Sequence, residues 1–327
     1  LQESYDNSGW QVGDYDSEVK GVLVSLDVTL EVVQEAIDQK CNLIIAHHPI
    51  IFGELKNITS NISTGKIIQK AIKNNINIYA IHTNLDNVYN GVNNKIASII
   101  GLERKKILMP KQNLLKMAVF VPESHSEQVL EAMFNSGAGH IGNYESCSFI
   151  SYGEGTFLPS EGSNPYKGKI GILEKSKEIK LEVILPDYLL SDVILAMNNI
   201  HPYEEVAYDI FKIQNNSNCG SGMFGELPKE MDEMNFLMLL KKSFNAKGIR
   251  HTNLLNRPIK KVAICGGSGS FLLKNALRVK ADVFVTSDFK YHQFFDSESK
   301  ILIADIGHYE SEQYTIELIS DFLMKKF

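Results

Sequence analysis

A chain of 327 residues, 44% hydrophobic and 22% charged, is long enough for two or three domains with real cores and fits an ordinary soluble globular protein. The formal net charge of -6, with only the short basic runs Arg104-Lys105-Lys106 and Lys260-Lys261, excludes a nucleic-acid footprint. No stretch of about 18 apolar residues occurs, so no membrane span is predicted. Cys41, Cys147, Cys219 and Cys265 are dispersed with no CxxC pair, which predicts a reducing compartment, the cytoplasm, and buried thiols at Cys41 and Cys265. The N-terminus, which begins at Leu1, shows no charged-then-apolar leader.

Residues 1–20 are polar and Gly-containing, and Tyr5-Asp6-Asn7-Ser8-Gly9-Trp10 reads as a surface loop with Trp10 packed on the body. A first strand is expected at Gly21–Leu26, closed by Asp27. Thr29 then caps a helix through Gln39, whose Val32, Val33, Ala36 and Ile37 form one apolar face. Asn42–Ala46 is a buried strand that runs into His47-His48-Pro49. The carboxyl end of such a strand is where open α/β sheets place ligands. Adjacent residues on an extended chain point to opposite sides, so both imidazoles serve one site only with two metals side by side or a sharp turn at Pro49. A hydrogen-bonded pair of turn histidines is the plain alternative. A helix at Thr64–Asn75 and a strand at Ile76–Ile81 follow, and that strand empties into His82-Thr83-Asn84-Leu85-Asp86. Gly91–Gly101 is a short helix and its exit, and Leu102–Asn113 reads as a connection.

The middle of the chain repeats itself at an offset of 64: Lys116–Pro122 matches Lys180–Pro186, Val129–Met133 matches Val193–Met197, and Tyr144 matches Tyr208. Two strand–helix–strand copies predict a ferredoxin-like α+β domain, with the Gly-rich tract Tyr152–Gly168 as the loop or hairpin between them. At an offset of 240, Val22–His48 overlays Val262–Asp288 in pattern. This predicts strand Lys261–Cys265, helix Ser270–Val279, strand Ala281–Thr286, and then a strand Ile301–Ala304 ending at Asp305. The expected fold class is therefore α/β. Two related halves, 1–115 and 239–327, form one body, and a ferredoxin-like domain at 116–238 is inserted between them.

His308 and Glu312, spaced i,i+4 on a helix after Gly307, share a face at metal-ligand spacing, which is also the spacing of an ordinary surface charge pair. His47, His48, Asp86, His308 and Glu312 all lie at or beyond strand ends. Three histidines and two carboxylates suit two close divalent ions, about 3.5–4 Å apart, that acidify a shared water for attack on carbon or phosphorus. Imidazole favours Zn, Fe, Ni or Co, and carboxylate tolerates Mn or Mg. Asp288 and His292, and likewise His82, are candidates for general acid/base, anion-binding or supporting roles, or for structural hydrogen bonds; Asn84 could cap its turn. Cys265-Gly266-Gly267-Ser268-Gly269-Ser270 could hold phosphate on backbone amides or form a tight turn. His201-Pro202-Tyr203-Glu204-Glu205 fits a structural or a ligand-sensing role.

Five segments together resemble the GTP cyclohydrolase type 2 homologue family, also called Nif-three-like proteins. They are Tyr5–Trp10, Ala46–Phe52, His82–Asp86, Gly266–Gly269 and Gly307–Glu312. The resemblance spans nearly the whole chain, with Ser287 standing where the family often has Gly. It implies two metal ions per chain held by His47, His48, Asp86, His308 and Glu312, an inserted domain similar to the PII/CutA type, and homohexamers whose metals face an interior cavity. The family name implies opening of the guanine ring of GTP. Two functions follow as expectations: a metal-dependent hydrolase of a nucleotide-like substrate, or a non-enzymatic protein that delivers metal or senses a small molecule.

Overall fold

The computed structural model describes all 327 residues, which form two compact units, 1–110 with 219–327 and 111–218. In the first half of the larger unit, strands β1 (Gly9–Val12), β2 (Val22–Ser25), β3 (Leu43–Ala46) and β4 (Asn77–Ala80) form a sheet in the order β1-β4-β3-β2. The three strands β2, β3 and β4 are parallel, and β1 adds antiparallel at the edge. Helices α1 (Leu30–Asp38) and α2 (Ser63–Lys73) supply Val33, Ala36, Ile67, Ile68 and Ala71, which pack against Ile44 and Ile78. The Thr29 side chain accepts from the Val32 amide, satisfying one of the free donors at the start of α1. Trp10 lies in β1 rather than in a loop, with its ring against Tyr15 and Tyr79. Strand β1 escapes sequence reading because it is short and abuts turn residues. The chain continues through α3 (Thr83–Asp86), α4 (Val92–Ile100) and β5 (Glu103–Pro110).

In the smaller unit, β6 (Leu114–Pro122), α5 (Ser126–Asn135), β7 (Ser148–Phe157), β8 (Glu174–Pro186), α6 (Leu190–Ile200) and β9 (Tyr208–Lys212) build an all-antiparallel sheet in the order β7-β8-β6-β9. The residues that repeat at an offset of 64 share one core: Val129 with Val193, Met133 with Met197, and Val119 with Val183. Tyr144 and Tyr208 are not equivalent. Tyr208 opens β9, whereas Tyr144 sits in a turn bridged to Ile141, before β7 begins.

The larger unit resumes with β10 (Gly220–Met231), α7 (Glu233–Ser243), β11 (Arg250–His251), β12 (Ile259–Ser268), α8 (Leu273–Arg278), β13 (Val283–Ser287), β14 (Leu302–Asp305), α9 (His308–Glu312) and α10 (Thr315–Lys326). Its second sheet runs β11-β14-β13-β12-β10-β5, with β12, β13 and β14 parallel. Strand β10 lies between β5 and β12 and pairs antiparallel with both, so residues 219–238 belong to this unit and not to the insert, as the sequence boundary at 238 would have it. Phe236 and Leu240 of α7 are buried in the same core as Val262, Val283 and Leu302. No helix is long and apolar enough to cross a membrane.

Candidate metal centre

Each sheet of the larger unit ends its parallel strands in a polar turn, and the two sets of turns meet. His47 and His48 follow β3, His82 follows β4, and His308 follows β14 after the two residues Ile306 and Gly307. Asp86 closes the single turn of α3, and Glu312 closes α9, one turn beyond His308. Residues far apart in sequence thus share one cluster. His48 Nε2 is 3.0 Å from Glu312 Oε2, and His308 Nε2 is 3.0 Å from the same oxygen. The two imidazole nitrogens are 3.4 Å apart. On the other side, His47 Nε2 is 3.8 Å from Glu312 Oε1 and 3.6 Å from Asp86 Oδ1. The buried Glu312 carboxylate therefore faces two donor groups, one oxygen to each.

The second group is unsatisfied as protein alone. His47 Nε2 and Asp86 Oδ1 are buried and have no hydrogen-bond partner. An orphaned buried polar atom costs about 1–3 kcal/mol. A gap of 3.6 Å is too wide for a hydrogen bond. It suits two donors on one ion, since ligand bonds of about 2.0–2.2 Å place neighbouring donor atoms roughly 3–4 Å apart. His48, His308 and Glu312 likewise bring three donor atoms within reach of a single ion, as do His47, His48 and His82. The residues present fit divalent metal.

Each imidazole is aimed by a partner on its other nitrogen. His47 Nδ1 donates to the Ile81 carbonyl at 2.9 Å, which directs Nε2 into the cluster. His48 Nδ1 is 2.8 Å from Asp27 Oδ1, and His308 Nδ1 is 2.6 Å from Asp288 Oδ2. His82 Nδ1 donates to Asp6 Oδ1 at 2.7 Å. Carboxylates and carbonyls in these places fix ring orientation and raise ligand basicity. Asp288 therefore positions His308. His292 is not brought to the cluster: it is exposed, with its ring against Tyr291 and Phe295. Sequence reading missed Asp27 and Asp6, which lie 21 and 76 residues from the histidines they hold. The signals available were the place of Asp6 in the segment Tyr5–Trp10 and that of Asp27 just after the first strand.

The charges are strongly coupled. Burial opposes a charge on His48, but Asp27 and Glu312 outweigh it and lift its pKa to about 10. The bond to Glu312, with help from Asp288, lifts His308 to about 9. Burial works against Glu312, yet the three imidazoles hold it well below the usual carboxylate range. Burial pushes Asp86 up and His82 down. Burial also pushes the Cys265 thiol up, so it stays protonated beside the cluster.

The Gly-rich turn serves close packing. The Gly266 amide donates to Asn93 Oδ1 and the Gly267 amide to Ser311 Oγ, so both are committed within the protein. Gly267 has φ +60°, and a Cβ there would lie 2.3 Å from Glu312 Oε1. Ser287 is buried and donates to the Gly267 carbonyl at 2.6 Å. The cluster opens into a cavity of about 380 Å³ whose lining includes the half-exposed rings of Tyr5, Phe52 and Phe271.

The family model for DUF34/NIF3 (NGG1p interacting factor 3) matches residues 1–327. The chain belongs to the DUF34/NIF3 family. A relative from Halalkalibacterium halodurans, named GTP cyclohydrolase 1 type 2 homolog, is 44% identical over 307 residues, 93% of this chain and 82% of that protein. A Bacillus subtilis relative of the same name is 41% identical over 330 residues, 98% of this chain and 88% of that one. The crystal structure of a Bacillus cereus protein related to NIF3 is 41% identical and superposes with a TM-score of 0.83, covering 100% of this chain and 90% of that one. The paired sheets and the turns that carry the cluster are thus the architecture of a DUF34/NIF3 protein.

Proposed function

We propose that this chain is a dinuclear metal-dependent hydrolase acting on a nucleotide-like substrate. The observation that carries this reading is the Glu312 carboxylate, with one oxygen toward His47, whose Nε2 also faces Asp86, and the other toward His48 and His308. His47, Asp86 and Glu312 would hold one ion, and His48, His308 and the same Glu312 the second; Zn, Fe, Mn, Ni and Co all suit this donor set. Bound ions supply Lewis acidity and acidify water.

The chain's own residues supply the rest. Asp27 and Asp288 hold His48 and His308 in register. Asp6 stays ionised, so it keeps the proton of His82 on Nδ1 and leaves Nε2 free to take or return a proton beside the cluster. The rings of Phe52 and Phe271 in the cavity lining offer apolar faces for a planar base. The β-α-β-β-α-β order of residues 111–218 supports a ferredoxin-like insert. The family resemblance supports a homohexamer, and the four free, dispersed cysteines support a cytoplasmic location.

The test is turnover of GTP and a panel of related nucleotides by metal-loaded protein, read by chromatography of products. A variant His82→Gln that retains its metal should lose about 100-fold in rate. No turnover of any nucleotide by protein with both metals bound would refute the hydrolase reading.

A further inference from the structure

The smaller unit contains a second cavity, of about 440 Å³, that the metal cluster does not explain. It is lined by Phe120 on β6, Glu178 on β8, Phe157 at the end of β7, Tyr166 in the connection to β8, and Tyr203 and Glu204 in the turn after α6.

The turn is built, not loose. His201 is buried; its Nε2 donates to the Phe120 carbonyl at 3.1 Å, and its Nδ1 accepts the Tyr203 amide at 3.1 Å. Tyr203 donates its hydroxyl to Glu178 Oε1 at 2.8 Å, and its ring meets Tyr166 and Phe157 at centroid distances of 5.9 and 6.2 Å. The Asn164 amide donates to Glu204 Oε1 at 2.8 Å, tying the β7–β8 connection to the turn. Glu178 reaches into the cavity because residue 155 is glycine: a Cβ there would lie 2.2 Å from Glu178 Oε2.

The lining selects by charge. Glu178, Glu204 and Glu205 face one ammonium, Lys167, and that group is shared with Glu174 at 3.6 Å. An anion is repelled here, and a neutral apolar guest would cover Glu178 without pairing it. A cation meets both requirements, because carboxylates and the faces of aromatic rings attract it together. The volume suits a small molecule.

We propose that this cavity binds a small organic cation, an amine or quaternary ammonium whose charge faces Glu178 and whose apolar body lies against Phe120, Phe157, Tyr166 and Tyr203. The insert then gives the chain a ligand site separate from the metal centre, and the motif His201–Glu205 is its structural support.

Calorimetric titration of the full chain with choline and with benzylammonium tests this. At least one of them should saturate a single site per chain. The uncharged isostere of choline, 3,3-dimethylbutan-1-ol, should bind at least about tenfold more weakly than choline where choline binds. Glu178→Gln preserves an acceptor for Tyr203, and Tyr166→Leu removes one ring; each should weaken cation binding about tenfold while far-ultraviolet circular dichroism and metal content stay as in the parent. Failure of both cations to saturate at millimolar concentration would overturn the proposal. So would equal binding of the alcohol and choline, or unchanged cation affinity in both variants.

Discussion

Replacing Asp6 with Asn isolates the group that orients His82. The Asp6 side chain is wholly buried. Its Oδ1 accepts from His82 Nδ1 and the Asn7 amide, and its Oδ2 from the Ser8 hydroxyl and from the Thr83 amide and hydroxyl. Burial alone would raise its pKa, but the Ser8, Thr83 and His82 bonds prevail and bring it from the ordinary 3.8 to about 2. At about 1.36 kcal/mol per pH unit, that difference favours the charged form by about 2.5 kcal/mol. Asn keeps the shape, loses the charge, and turns an NH2 toward one set of donors. The variant should therefore be less stable by about 2–3 kcal/mol at pH 7. Because the folded-state pKa is depressed, the advantage of Asp6 is complete above about pH 4 and disappears as pH falls through about 2. The chain has one tryptophan, Trp10, and it lies in β1 of the same unit, so urea unfolding followed by its fluorescence reads this unit directly. Measurements in chelator remove the contribution of metal binding. A difference under about 0.5 kcal/mol at pH 7, or a gap that does not close in acid, would refute the reasoning.

Three further outcomes are expected. Asp27→Asn and Asp288→Asn should each lower metal affinity about 10–100-fold, measured by competition with a chromophoric chelator, because each loosens one imidazole; unchanged affinity in both would show that these carboxylates do not position the rings. Gly267→Ala should destabilise by at least about 1 kcal/mol from its positive φ alone and should reduce metal content by displacing Glu312; parent-like metal content would contradict the packing described for that turn. Phe284→Ala should cost about 3–5 kcal/mol in urea unfolding, since the ring is fully buried against Phe289; a loss below about 1 kcal/mol would contradict its place in the core.

The elements legible in the sequence are those whose apolar period matches their burial. Asn42–Ala46 reads as a strand because it is a short apolar run, and β3 spans Leu43–Ala46 with Ile44 and Ala46 buried and Leu43 and Ile45 half-buried. The i,i+4 spacing of His308 and Glu312 survives because they lie on a real helical turn. The internal repeat was visible because Val129, Met133, Val193 and Met197 fill equivalent places in one core. Strand β10 was not legible. Its run of glycines and a proline reads as loop, and only its pairing with β5 and β12 makes it a strand. Strand β5, rich in charge, reads as a connection for the same reason. His292 resembled a site residue by its nearness to Asp288, but the short 3-10 turn Tyr291–Ser297 carries it outward. Asp6 and Asp27 carry no periodic signal, because their partners are reached through the fold and not along the chain.

The most direct test is a crystal structure of the metal-loaded protein with anomalous scattering recorded at the absorption edge of the bound metal. Two peaks about 3.5–4 Å apart are expected, one beside His47 and Asp86 and one beside His48 and His308, with the Glu312 carboxylate between them. A single peak, or peaks that Glu312 does not touch, would contradict the two-ion centre.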